Sequence, residues 1–115
     1  MVSHKVQQPA LSDDEVDRIF RALADATRRD IIRRTLTEEA SISDLAHRYD
    51  MSFAAVQKHI TVLETAGLVT KQRSGRERRI SGNPETLRRA QSLLDAYERI
   101  WRGRIDQLDT LLAGD

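Results

Sequence analysis

Between Ser41 and Ser81 the chain runs through a helix signal, a turn, a second helix signal and a glycine-centred hairpin. Ser41 or Ser43 starts a short helix carrying Leu45, Ala46 and Tyr49, because a serine hydroxyl ahead of the first turn accepts from backbone N–H groups that otherwise lack partners. That helix is expected to end near Asp50. Ser52 caps a longer helix that runs to about Ala66 and stops at Gly67, the residue type best suited to a left-handed C-terminal cap. Two helices separated by a turn of about three residues have helix-turn-helix spacing. Leu68 to Arg73 and Glu77 to Ser81 then read as two strands around Ser74, Gly75 and Arg76, a short loop whose glycine tolerates positive φ.

The helix after Ser52 divides into faces at about 100° per residue. Val56, Ile60 and Leu63 fall together and are expected to be buried. Opposite them lie Ala54, Gln57, Lys58, Thr61 and Thr65, a row of short side chains with one charge. Such a surface fits the major groove of DNA, where glutamine bonds adenine, alanine touches a thymine methyl and lysine reaches guanine or phosphate. An ordinary solvent face would carry more Glu and Arg. His59 borders the buried row and reads as a packed residue or a phosphate contact, since it lacks the partner one turn away that a metal site needs.

Charge supports this division of labour. The chain carries 19 basic and 18 acidic side chains, but residues 41 to 81 hold 7 basic against 4 acidic ones, whereas residues 1 to 40 hold 7 against 8 and residues 82 to 115 hold 5 against 6. Within the hairpin Lys71, Arg73, Arg76, Arg78 and Arg79 have only Glu77 as an acidic neighbour in sequence. Local density of this kind is what a phosphate backbone requires, and also what keeps an edge strand soluble. As a DNA grip, the hairpin uses Arg76 as a probe at its tip, with Arg73 and Arg78 holding phosphates.

The flanks complete five helices and one hairpin: mainly α with a small β-hairpin. Residues 1 to 11 are expected to form a flexible N-terminal segment, and residues 12 to 112 one domain. Ser12 caps a first helix through about Leu23 with a narrow stripe of Val16, Ile19, Phe20 and Leu23. Asp25 caps a second, from about Ala26 to Leu36, with Ile31, Ile32 and Leu36 inward and Arg28, Arg29, Arg33 and Arg34 in water. Gly82 breaks the second strand, and Asn83 and Pro84 start a last helix over residues 84–112. Its apolar positions Leu87, Ala90, Leu94, Tyr97, Trp101, Ile105, Leu108 and Leu112 step by threes and fours, widened by Leu93, Ile100 and Leu111. So broad a face exceeds what this core covers, which predicts a homodimer joined through Val16, Ile19, Phe20, Leu94, Tyr97, Trp101, Ile105, Leu108 and Leu112. Gly103, costly inside a helix, suits a close approach of another backbone there.

Several function classes are excluded or weakened. The sequence has no cysteine, which removes disulfides, thiolate metal sites and thiol redox sensing. No apolar run approaches a membrane span, and MVSHKVQQPA lacks a signal-peptide centre, so a soluble cytoplasmic protein without a membrane partner is expected. No Ser/His/Asp set or glycine-rich phosphate loop is present, and His4, His47 and His59 lack placed acidic partners. An enzyme is not expected, nor any cofactor.

IFRALADATRRDII, SISDLAHRYDMS, VQKHITVLETAGLV and RSGRERRIS followed by NPETL resemble the ArsR/SmtB-type winged-helix repressors over about residues 14 to 112. The ending LLDAYERIWRGRIDQLDTLL is similar to a branch of that family whose members lack metal sites. The resemblance implies a winged helix-turn-helix fold, homodimers joined through the first and last helices, the fourth helix in the major groove, and repression of nearby genes. A pseudo-palindromic double-stranded operator follows from the two-fold symmetry. The expected DNA-binding set is Ser41, Ser43, Ser52, Phe53, Ala54, Gln57, Lys58, His59, Thr61, Arg73, Arg76 and Arg78.

The departures from the family pattern matter too. Metal-sensing members place cysteines on the third helix, where this chain has Ser41, Ser43 and Asp44. Others use histidine and acidic residues on the last helix, which here contains no histidine. The expected metal ligands are therefore none. Asp95, Glu98, Asp106 and Asp109 read as a solvated ridge paired with Arg99, Arg102 and Arg104, with collection of a hard cation between subunits as the alternative. Ala26 replaces a usual proline, and Phe53 and Gln57 stand where polar or basic residues and serine are common, so the operator sequence is not given by the family. A winged-helix module for a protein partner is the second reading, and an unknown effector near Tyr97 and Trp101 a third question the residues leave open.

Overall fold

The computed structural model describes residues 10–114. Five helices and three short strands follow in the order α1 (Asp13–Leu23), α2 (Ala26–Thr35), β1 (Ala40–Ser41), α3 (Ile42–Tyr49), α4 (Phe53–Thr65), β2 (Val69–Ser74), β3 (Glu77–Gly82) and α5 (Pro84–Ala113). The expected flexible segment, residues 1 to 11, lies outside the described residues except for Ala10 and Leu11, and Leu11 packs against the core.

Each helix starts where the sequence supplies a cap. Ser12 and Ser41 form reciprocal capping boxes with Glu15 and Asp44, and Asp25, Ser52 and Asn83 each accept from a first-turn N–H. The turn between α3 and α4 is Asp50, Met51 and Ser52. Asp50 takes a left-handed conformation at φ 53°, and Met51 N–H bonds back to the Ala46 carbonyl at 3.0 Å, which closes α3 and redirects the chain.

β2 and β3 form the hairpin in register from Val69↔Gly82 to Ser74↔Glu77, and β1 adds Ala40↔Ile80 and Ser41↔Arg79, giving the sheet order β1-β3-β2. The loop is two residues, Gly75 and Arg76, with positive φ at Gly75 alone (64°), the pattern of a type II′ turn. The strand at Ala40–Ser41 is not expected from the sequence. Gly82 is the last residue of β3, and a Cβ there would lie 2.9 Å from the Leu36 side chain and 3.0 Å from its backbone nitrogen. Glycine lets the end of α2 press onto the strand.

Ile19, Ile31, Leu45, Val56, Ile60, Leu63, Leu68, Val69 and Ile80 are all fully buried and form one core beneath α4. Two assignments change, one inward and one at the interface. Leu36 is 42% exposed, leaning over Gly82. Ile19, expected at an interface between subunits, is 1% exposed inside the chain's own core, because the α1 stripe turns toward α4 and α2. Val16 and Phe20 stay half-buried.

α5 runs 30 residues, about 45 Å at helical rise. Only Thr86 and Ala90 are buried along it. Beyond Gln91 it projects from the body, and the radius of gyration of 19.4 Å exceeds the roughly 13–14 Å of a compact chain this long. Leu94, Tyr97, Ile100, Trp101, Ile105, Leu108, Leu111 and Leu112 are all exposed. A Cβ at Gly103 would meet nothing within 4 Å in the chain. No helix among the described residues is long and apolar enough to cross a membrane.

Candidate nucleic-acid interface

The helical period places the two rows of α4 as expected. Val56, Ile60 and Leu63 are each 0% exposed, while Ala54, Lys58, Thr61 and Thr65 face solvent and Gln57 is half-buried. Gln57 Nε2 donates to Thr61 Oγ1 at 3.3 Å, and Thr61 Oγ1 donates to the Gln57 carbonyl at 3.0 Å. This bond within the helix holds the amide along the outward row. Phe53 opens α4 with its ring 56% exposed.

The hairpin stands beside the start of α4. By strand parity Val69, Lys71 and Arg73 share one face with Ile80 and Arg78, so Arg73 and Arg78 continue past the core the face that packs on α4. A groove of about 270 Å³ lies between the starts of α3 and α4 and the hairpin tip, lined by Ser41, Ile42 and Ser43, by Phe53 and Gln57, and by Arg76, Glu77 and Arg78. Arg73, Arg76 and Arg78 are exposed, and none of them has an ion-pair or hydrogen-bond partner among the described residues.

The other two hairpin cations are engaged, partly by carboxylates from outside the hairpin. Lys71 Nζ lies 3.8 Å from Glu64 of α4, and Arg79 pairs with Glu77 at 3.3 Å and with Glu39 at 3.8 Å. Glu64 comes from the end of α4, seven residues before Lys71, and Glu39 from the segment ahead of β1. Lys71 and Arg79 therefore hold the hairpin to the body, and three arginines are left facing outward.

Three more expected site residues have structural duties. Ser41 is 3% exposed, its hydroxyl accepting from Asp44 N–H at 3.0 Å, which withdraws it from direct contact. Ser52 is exposed but its Oγ caps Ala55 N–H at 3.1 Å, and Ser43 is exposed. His59 turns toward α2, its Nδ1 3.3 Å from Arg28 Nη1 and 4.0 Å from Asp25, with the side chain 20% exposed.

Arg28, expected in water, is half-buried and acts as a positioning residue. Its Nε donates to the Ala22 carbonyl at 2.8 Å and its Nη2 to the Arg21 carbonyl at 2.9 Å, while Arg29 donates to Leu23 at 2.7 Å. The pair caps the end of α1, where carbonyls lack partners and the helix dipole favours cations. Through His59 the same side chain reaches α4. The signal was an arginine pair one turn into the next helix. A second clamp centres on Asp30, which accepts from Tyr49 Oη at 2.5 Å, Arg33 Nη2 at 2.5 Å and Arg34 Nε at 2.8 Å. The Tyr49 hydroxyl first, then the two guanidiniums, hold its carboxyl far below the usual range. It joins α2 to the end of α3.

Residues 23–72 match a family model described as a helix-turn-helix domain. An ArsR family transcriptional regulator of known structure is 31% identical, with a TM-score of 0.75 over 82% of this chain and 97% of that one. The chain belongs to the ArsR family. An ArsR-like transcriptional regulator from Rhodococcus sp. RHA1 is 30% identical, with a TM-score of 0.75, over 83% of this chain and 90% of that one. In sequence, the HTH-type transcriptional regulator YuzN of Bacillus subtilis is 43% identical over 79 residues, 63% of this chain and 86% of the relative. Rv2034 of Mycobacterium tuberculosis, also an HTH-type transcriptional regulator, is 36% identical over 81 residues, 70% and 76% of the two chains. This ArsR-family protein is a DNA-binding transcription regulator: α3 and α4 are its helix-turn-helix, and β2 and β3 its wing.

Proposed function

We propose that this regulator is a homodimeric repressor in the cytoplasm that binds a pseudo-palindromic operator and responds to no metal through thiolate or histidine ligands. The observation that carries the DNA mode is the placement of three unpartnered wing arginines beside the outward row of α4. α4 enters the major groove with Ala54, Gln57, Lys58 and Thr61 toward the bases; Gln57 bonds an adenine and Lys58 a guanine or phosphate. Ser43 and the exposed Ser52 lie at the backbone, and Arg73, Arg76 and Arg78 grip phosphates or the neighbouring minor groove. His59 acts through Arg28 as a positioning residue.

The exposed face of α5 supports the dimer. Tyr97, Trp101, Leu108 and Leu112 leave an exposed apolar surface that a second α5 covers, and the half-buried Val16 and Phe20 of α1 are proposed to join the same interface. A solved neighbour from Mycobacterium bovis, 23% identical, is described as a homodimeric winged helix-turn-helix domain. The cysteines that metal-sensing members place on α3 and the histidines that others place on α5 have no counterpart in this sequence, and Glu98 pairs with Arg102 at 2.6 Å.

The test is titration of duplex DNA from the regulator's own upstream region, in the presence of a chelator and across a salt series. Binding is expected with chelator present, with affinity falling steeply as salt rises because phosphate contacts release counterions. Failure to bind the duplex even at low salt would point instead to a protein-interaction module.

A further inference from the structure

Phe53 is the one exposed large apolar side chain among the described residues that line the groove, where Ile42 is buried and the charged lining is Arg76, Arg78 and the acidic Glu77. Its ring is 56% exposed and stands outside the core cluster. As the first residue of α4 it projects ahead of the helix, since helical Cα–Cβ bonds tilt toward the N-terminus. There it shares the groove with Gln57, Arg76 and Arg78. Two arginines against one glutamate favour a polyanion in the groove, yet an exposed aromatic ring there calls for an apolar contact. At the base edges of the major groove the apolar group is the C5-methyl of thymine.

We infer that Phe53 reads a thymine through its C5-methyl group. The inference rests on the proposed seating of α4 in the major groove. Phe53 and Gln57 are one helical turn apart on the same side, about 5–6 Å between Cβ atoms, against a rise of about 3.4 Å per base pair. The thymine under Phe53 therefore lies within one or two base pairs of the adenine bonded by Gln57. The side chain is a specificity determinant: it contributes to choice among sequences and little to binding of random DNA.

The experiment begins by selecting an operator from random duplexes with the full chain. Each thymine of a half-site is then replaced by deoxyuridine, which removes only the methyl. One position per half-site is expected to cost the wild type about fourfold, from burial of about one methyl group, and to lie beside the A·T pair to which Gln57→Ala becomes indifferent. Phe53→Ser is expected to abolish that sensitivity and Phe53→Leu to retain it; both change an exposed side chain. Sequence-specific binding indifferent to every uracil, or a uracil cost unchanged in Phe53→Ser, overturns the assignment and leaves the DNA-reading role of α4 standing. Failure of any sequence to be enriched overturns both.

Discussion

Arg73 and Arg78 are directly opposed across the wing, one pair below the Gly75–Arg76 loop. Like charges in opposed strand positions destabilise a hairpin, by roughly 0.2–1 kcal/mol. Here nothing within the described residues relieves them. A phosphate between or beside the two guanidiniums would remove the repulsion, so the cost is carried by the free protein and recovered in the complex.

Arg78→Gln is therefore expected to separate binding from folding. Affinity for DNA falls by about 1–3 kcal/mol, the salt slope falls by about 1, and stability of the free protein is unchanged or raised by a few tenths of a kcal/mol. DNA titration at several salt concentrations and urea denaturation measure the two. Parallel loss of both would make the pair structural.

Gln57→Ala and Lys58→Ala are expected to differ in kind. The glutamine substitution costs about 1–3 kcal/mol on the operator and little on random DNA, relaxing preference at one base pair. The lysine substitution, like Arg76→Ala, weakens both. Competition titrations with specific and random duplexes read the difference, and equal losses for Gln57→Ala on both would refute base reading.

The rows of α4 were legible in the sequence because burial of Val56, Ile60 and Leu63 imposes a helical period that fixes the opposite face. The helix starts were legible too, each carried by a Ser, Asp or Asn within the chain's local grammar. What sequence could not supply were partners distant along the chain. Glu39, forty residues away, pairs with Arg79 at 3.8 Å, so Arg79 is not one of the outward wing cations. β1 exists only because β3 offers an edge to Ala40 and Ser41. Ile19 was misassigned because an apolar stripe on α1 says that a face is covered, not by which chain.

Ile19 and Trp101 should now behave oppositely. Ile19→Ala is expected to cost about 2–5 kcal/mol of folding stability, as a buried truncation. Trp101→Glu, at a residue 58% exposed on α5, is expected to leave the winged domain folded and shift the protein to monomer with loss of cooperative operator binding. Sedimentation and circular dichroism distinguish these. A folded Trp101→Glu protein that remains dimeric would remove α5 from the interface.

The Asp30 clamp sets an acid limit. Its carboxyl pKa is lowered in the fold, chiefly by the Tyr49 hydroxyl and then by Arg33 and Arg34. A depressed pKa contributes stability above the ordinary value near 3.8, and that contribution is lost as pH falls below it toward the folded-state value. Asp30→Asn is expected to lose about 1–2 kcal/mol at neutral pH, and Tyr49→Phe about 1. The loss from Asp30→Asn shrinks below about pH 4, which urea denaturation across pH will show. A pH-independent difference would contradict the charged role.

Footprinting on a selected operator tests the dimeric DNA-reading arrangement most directly. Two protected half-sites are expected, related by a dyad, with centres about one helical turn apart, 34–36 Å. Arg78→Gln should weaken protection of both without moving them. A single unpaired half-site, or centres at a non-integral number of turns, would contradict it.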